Sequence, residues 1–203
     1  MTKVSDTING MPVVAALQAL LDATNHNQIV VTNQASARIW PMLRRRPLDF
    51  HYNPSTMGGA IPLALGLALA QPRREVLVVS GDGSLLMSLG ALVTVIGAGV
   101  TNLSIIVLDN GMYEVTGGQK TAATGTAVDF AGMARAAGFQ GVADFSDLTE
   151  WRGQVSRFLS FPGPRFACLH VGPTPQDYLR AATPPIVAQL EALQNALSNI
   201  PAS

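Results

Sequence analysis

Two apolar runs, Val76 to Ser80 and Leu103 to Leu108, constrain the fold more than any other feature of the sequence. Both are rich in β-branched residues and too short for a buried helix. Turn residues follow each: Gly81-Asp82-Gly83-Ser84 after the first, Asp109-Asn110-Gly111 after the second. Unbroken apolar runs of this length are characteristic of strands covered on both faces, as in parallel sheets. A helix-length stretch from Leu85 to about Gly97 separates them, so strand, tight turn, helix and strand are expected in that order. Parallel strands finish on the same edge. Asp82 and Asn110 are therefore expected to be neighbours, although 28 residues apart in sequence. Open α/β sheets bind their ligands at that edge.

The rest of the chain extends this pattern. Residues 11–23 place Pro12 at the start of an amphipathic helix striped by Val13, Val14, Leu17, Leu20 and Leu21. A strand is expected at Gln28–Thr32, and Asn33 to Arg38 then falls at its C-terminal end. Phe50–Asn53 suggests a short strand and Gly58–Ala70 a tightly packed helix. Gly111–Thr126, with few large apolar residues, suggests a long loop over the site. Helices are expected over Asp129–Ala137, from Ser146 through Leu159, and from Ile186 to about Leu197. A weak strand at Gly141–Asp144 and a last strand at Pro164–Val171 complete the set. This succession of βα units predicts one domain, residues 1–203, built as a three-layer, doubly wound parallel sheet.

Composition excludes several functions. Thirteen basic and thirteen acidic residues cancel, leaving no charge footprint for nucleic acid or an anionic membrane. The single cysteine, Cys168, allows neither a disulfide framework nor a cysteine-ligated cluster within the chain. Met1-Thr2-Lys3 begins no signal pattern, and residues 85–100 fall short of a membrane span. A cytoplasmic protein is expected. At 48% hydrophobic and 13% charged, the chain is apolar for a free monomer, so buried interfaces with another chain are expected. The run Arg44-Arg45-Arg46 suggests a solvated face that could also meet an acidic partner or an anionic substrate.

The residue types at the strand ends point to a Mg2+–diphosphate site. Asp82 and Asn110 supply oxygen ligands of the kind a hard divalent ion takes alongside phosphates. Gly81 and Gly83 let the backbone approach a phosphate closely, and the helix beginning near Ser84 directs free N–H groups to the same place.

Gly81-Asp82-Gly83-Ser84, followed after the helix by Asp109-Asn110, resembles the signature of thiamine-diphosphate (ThDP, also called thiamine pyrophosphate) enzymes. Asp109 stands where that pattern often has a first Asn. Ser55-Thr56-Met57-Gly58-Gly59-Ala60-Ile61-Pro62 resembles the segment the family places before its Gly-Asp-Gly strand. The resemblance spans about residues 15–175 and implies the diphosphate-binding (PP) domain. It implies Asp82, Asn110 and the Met112 carbonyl as Mg2+ ligands, with Gly81, Gly83 and Ser84 at the diphosphate. It further implies Met57 as the wedge that bends the cofactor and the Ser55 carbonyl as acceptor for the pyrimidine amino group. Gly58 and Tyr113 join the cofactor-binding set. His51, preceding the Met57 loop, is a candidate catalytic histidine; His26 is expected at the surface and His170 as a satisfied core residue.

Within the family, Leu108-Asp109-Asn110-Gly111 and Thr116-Gly117-Gly118-Gln119 resemble the beta-type half of sulfopyruvate decarboxylases and the related phosphonopyruvate decarboxylases. That implies non-oxidative decarboxylation of a 2-oxo acid with an anionic tail. Gln119, Lys120, Arg38 and Arg44–Arg46 are candidate tail ligands. The activating glutamate of the family sits in a separate pyrimidine-binding (Pyr) domain, for which 203 residues leave no room. A Pyr-domain alpha subunit is therefore the expected partner, in a hetero-oligomer such as α2β2 or larger. A carboligase of the acetolactate-synthase type and a non-catalytic ThDP-binding regulatory subunit are the alternatives. A 2-oxo acid:ferredoxin oxidoreductase is disfavoured by the lone cysteine.

Overall fold

A computed structural model of the chain describes residues 10–199; the Met1-Thr2-Lys3 start lies outside them. The elements are α1 (Val13–Ala23), β1 (Ile29–Asn33), α2 (Gln34–Leu43), β2 (Asp49–Tyr52), α3 (Ala60–Ala70), β3 (Val76–Gly81), α4 (Asp82–Leu86), α5 (Ala91–Gly97) and β4 (Leu103–Asp109). A small antiparallel hairpin follows, β5 (Met112–Tyr113) with β6 (Gln119–Lys120), joined through a 3-10 turn at Glu114–Thr116. The chain ends with α6 (Phe130–Ala137), β7 (Gly141–Phe145), α7 (Leu148–Ser160), β8 (Arg165–His170), α8 (Gln176–Leu179) and α9 (Ile186–Asn199).

Six strands form one parallel sheet in the order β2-β1-β3-β4-β8-β7. The predominantly apolar runs of β3 and β4 lie at its centre, where both of their faces are covered. Alternate residues point to opposite layers. Val76, Val78, Ile105 and Val107 pack with α3, α5, α6 and α9, whereas Leu77, Val79, Ile106 and Leu108 pack with α1, α2 and α7. Trp40 and Trp151 are fully buried in the second layer, where the Trp151 indole N–H donates to the Ala16 carbonyl at 2.9 Å. The three-layer doubly wound expectation is met.

The strand order positions the site. From β1 the chain leaves through α2 on one face, and from β3 it leaves through α4 and α5 toward the other. The two connections diverge and open a crevice outside the carboxyl ends of β1 and β3, the topological switch point of the sheet.

Three expectations are corrected. The single helix expected from Leu85 to about Gly97 is two, α4 and α5, broken over Met87–Gly90. The loop carrying Met57 packs on this break, and a Cβ on Gly58, at φ +84°, would lie 2.9 Å from the Ser88 Cβ. The loop expected at Gly111–Thr126 contains the β5–β6 hairpin, pinned by Thr121 N–H to the Gly111 carbonyl at 3.0 Å. Arg44–Arg46 is not a freely solvated face. Arg44 bonds the Leu21 carbonyl and Thr24, and Arg46 pairs with the buried Asp49 at 3.0 Å. These arginines precede β2, at the sheet edge opposite the crevice, so they cannot serve a ligand bound there. Cys168 is buried, and His26 is exposed as expected. Among the described residues no helix is long and apolar enough to cross a membrane.

Candidate cofactor site

The crevice is lined by the ends of three consecutive central strands and by the hairpin. Asn33, Gln34 and Ser36 come from β1 and α2, Gly81, Asp82 and Gly83 from β3 and α4, and Asn110, Met112, Tyr113 and Glu114 from the segment after β4. Parallel pairing in register, Gly81 opposite Leu108, brings Asp82 and Asn110 to one edge. The expected neighbours are brought together.

Asp82 is the electrostatic centre of this edge. It is only 1% exposed, and burial, reinforced by the nearby charge of Asp109, pushes its carboxyl up to about 6. The Thr121 hydroxyl donates to its Oδ2 at 3.1 Å, and the Gly83 N–H also favours the charged form. Asn110 Oδ1 accepts the Met112 N–H at 3.0 Å, which fixes the side-chain amide. Gly83 lies under the Tyr113 ring, 2.3 Å from where a Cβ would sit, so no larger residue fits without moving that ring.

Ser84 ties the crevice to the upstream loop. Its Oγ accepts from Asn33 Nδ2 at 3.2 Å and from the Gly58 N–H at 3.0 Å. Ser55 and Met57 are half-buried on this loop and do not line the crevice itself. Their loop is brought to it through Gly58.

The residues fit a metal-bound diphosphate on three observations. A buried carboxylate pressed by a second acid is relieved by a cation. Its companion is a side-chain amide, and both are hard oxygen donors. Gln34, a non-glycine residue at φ +54°, holds a buried Nε2 without a hydrogen-bond partner in the same crevice. A strained residue with an orphaned donor marks a place where an acceptor is awaited.

His51 is not brought to the crevice. It sits in β2, 4% exposed, with Nδ1 2.9 Å from the Thr32 Oγ1 of β1. Its backbone is gripped by Gln189 of α9 at N–H and carbonyl. Burial, with the Arg45 charge second, lowers its pKa to about 4. The unfolded value, near 6.5, is higher, so the unfolded chain binds the proton first. This contribution to stability is complete above about pH 6.5 and is lost as pH falls toward 4. Asp82, raised to about 6, acts in the opposite sense over part of this range. Comparison with a His51→Asn variant separates the two. Between pH 7 and pH 5 the wild type is expected to lose about 2 kcal/mol more than the variant in urea unfolding. Equal losses would contradict the buried neutral imidazole.

His170 differs from expectation too. It is half-exposed at the end of β8, with Nδ1 3.2 Å from Asp109 and Nε2 2.8 Å from Asp144. Hydrogen bonding to Asp109 and then Asp144 raises its pKa to about 10. Asp109, Cys168 and His170 present ligand atoms within 4.8 Å of one another. Both imidazole nitrogens already serve carboxylates, which disfavours that trio as a metal centre.

Three contributors were located by the sequence without being assigned a role: Asn33, Gln34 and Thr121. The position after a buried strand was a signal for the first two. Thr121 closes the segment Thr116–Thr121 that carries part of the family resemblance, but no role followed from it. Among the tail candidates, Arg38 reaches the neighbourhood of the crevice, while Gln119 is exposed on β6 and bonded to Thr116.

Residues 29–171 match the family described as thiamine pyrophosphate enzyme, C-terminal TPP binding domain. The chain is 38% identical over 167 residues to the phosphonopyruvate decarboxylase of Streptomyces viridochromogenes, covering 82% of this chain and 41% of that protein. It is 40% identical over 135 residues to sulfopyruvate decarboxylase subunit beta of Methanothermobacter thermautotrophicus, covering 66% of this chain and 68% of that one. Benzoylformate decarboxylase from Polynucleobacter necessarius shares the fold with a TM-score of 0.64 at 19% identity, over 84% of this chain and 34% of that chain. The chain thus spans about two fifths of the length of the Streptomyces relative.

Proposed function

The chain belongs to the thiamine pyrophosphate enzymes with a C-terminal TPP binding domain, and from that membership we propose that it is the diphosphate-holding beta subunit of a non-oxidative 2-oxo acid decarboxylase. The substrate class proposed is a 2-oxo acid bearing a sulfonate or phosphonate tail. The observation that carries this reading is the placement of Asp82 and Asn110 at one edge of the β1/β3 switch point, within a single crevice.

In this reading Asp82, Asn110 and the Met112 carbonyl hold Mg2+, and the Thr121 hydroxyl orients the Asp82 carboxylate. The glycine turn at Gly81 and Gly83, with the N–H groups around Ser84, receives the diphosphate. The Gln34 amide is a further donor for it. Met57 supports the bend of the cofactor and Ser55 offers a carbonyl to its pyrimidine. When bound, the cofactor supplies the electron sink for loss of CO2, and the protein orients it and excludes competing reactions. His51, buried and neutral behind β1, has no part in the chemistry proposed.

A partner subunit is also part of the proposal. The relative named subunit beta supports it, and so does α3. Its sequence, AIPLALGLALA, is apolar all round, yet Leu69 is 55% exposed and, on neighbouring α5, Val93 is 64% exposed. A helix hydrophobic on every side belongs in an interior or an interface. The occupant proposed is a Pyr domain carrying the activating glutamate.

Calorimetry of ThDP into the chain, with and without Mg2+, tests the site; metal-dependent binding is expected, and metal-independent binding would contradict it. Met57→Ala is expected to change that affinity by less than about threefold while lowering turnover of the assembled enzyme on the order of tenfold or more. Equal loss of affinity and turnover would assign Met57 to general packing.

A further inference from the structure

A second cavity, of about 490 Å3, opens beside the cofactor crevice and shares Met112, Glu114, Val115 and Thr174 with it. Two guanidinium groups line it, Arg38 from α2 and Arg180 immediately after α8. The one carboxylate there is Glu114, and both of its oxygens are taken: they accept the Thr174 N–H at 2.6 Å and the Thr174 hydroxyl at 2.7 Å. Glu114 is thus a wall of the cavity, committed to holding the segment after β8 against the hairpin. Arg38 donates Nη1 to the Ala181 carbonyl at 2.7 Å. That bond fixes the side chain at the cavity while using only one of the five donors of a guanidinium. Arg180 is exposed at the rim and makes no ion pair among the described residues. The cavity therefore carries two guanidinium charges, one of them pre-positioned, against one carboxylate, for an excess of positive charge.

We propose that this cavity is the subsite for the tetrahedral oxyanion tail of the substrate, a sulfonate or phosphonate, gripped by Arg38 and Arg180. Guanidinium groups suit such a group because their planar forks give two parallel charge-assisted bonds to its oxygens. The wall of Met112 and Val115 shared with the crevice joins the subsite to the reacting end. Arg180 lies beyond the residues that match the family, 29–171, so the specificity would come from a segment outside the common domain. The proposal rests on the decarboxylase reading and deepens it.

The test is a ligand-observed NMR titration of the full chain, in saturating Mg2+ and ThDP, with sulfopyruvate, phosphonopyruvate and pyruvate. The wild type is expected to bind the two tailed acids at least tenfold more tightly than pyruvate. Arg180→Gln and Arg38→Gln should each bring the tailed acids down to the pyruvate level. Arg180 is exposed, so its variant carries little folding risk and keeps the test valid if Arg38→Gln misfolds. ThDP affinity, measured in parallel, should stay within twofold. Equal binding of all three acids, no binding of the tailed acids, or unchanged tail preference in Arg180→Gln would overturn the subsite. Parallel loss of ThDP affinity would overturn it too, by assigning the arginines to the cofactor's phosphates. Absence of metal-dependent ThDP binding in the wild type would instead remove the decarboxylase reading, while the preference for tailed acids still reports on the cavity.

Discussion

Asp82→Ala is expected to lower Mg2+-dependent ThDP affinity by ~100-fold or more. The carboxylate is buried, and its charged form is held by a hydroxyl and backbone N–H groups at the edge where a diphosphate would gather negative charge. Without it, the Asn110 amide and the Met112 carbonyl would be left to hold a cation with no anionic side-chain ligand beside them. Thr121→Val removes only the hydroxyl that orients Asp82, and about tenfold is expected. The apo fold should not suffer from the Asp82 change. A carboxyl whose pKa is raised by burial destabilises the folded chain at neutral pH, so its removal should leave the melting temperature unchanged or raise it. A variant that keeps its fold and loses metal-dependent binding identifies a ligand. One that retains wild-type affinity by calorimetry would remove Asp82 from the site.

Much of the fold was legible because β3 and β4 are predominantly apolar on both faces, and such runs have one comfortable position, the centre of a parallel sheet. The site followed from the same fact. Once both strands must end on one edge, Asp82 and Asn110 must meet. What the sequence did not show depends on contacts between distant segments. The break between α4 and α5 falls where a loop some thirty residues upstream seats Gly58 against Ser88. Ser88 and Gly90 were the local signals for it, outweighed by a stretch from Leu85 to Gly97 apolar enough to be one helix. Arg44 and Arg46 look solvated until α1 and β2 supply a carbonyl and a buried carboxylate for them. His51 illustrates the limit of adjacency. It stands six positions before Met57, but the alternation of a strand turns its ring onto Thr32 and into the sheet layer. Gln34 and Thr121 were placed by the sequence but given no role there. Each is an ordinary polar residue whose importance arises only from burial against the crevice.

The second large effect concerns turnover. The 203-residue chain by itself is expected to release CO2 from sulfopyruvate or phosphonopyruvate ~1000-fold more slowly than when assembled with a Pyr-domain partner, the scale at which a positioned acid–base group acts. In the proposed reading the chain would supply the metal and diphosphate side of the site, and α3 and α5 carry exposed apolar surface that a completing domain would cover. The direct measurement is CO2 release by the purified chain with ThDP and Mg2+, before and after addition of a Pyr-domain subunit, with Asp82→Ala run beside the wild type. The account predicts turnover only in the complete mixture, and its loss both on chelation of the metal and in the variant. Full turnover by the chain alone, or turnover in the mixture that Asp82→Ala does not diminish, would contradict it.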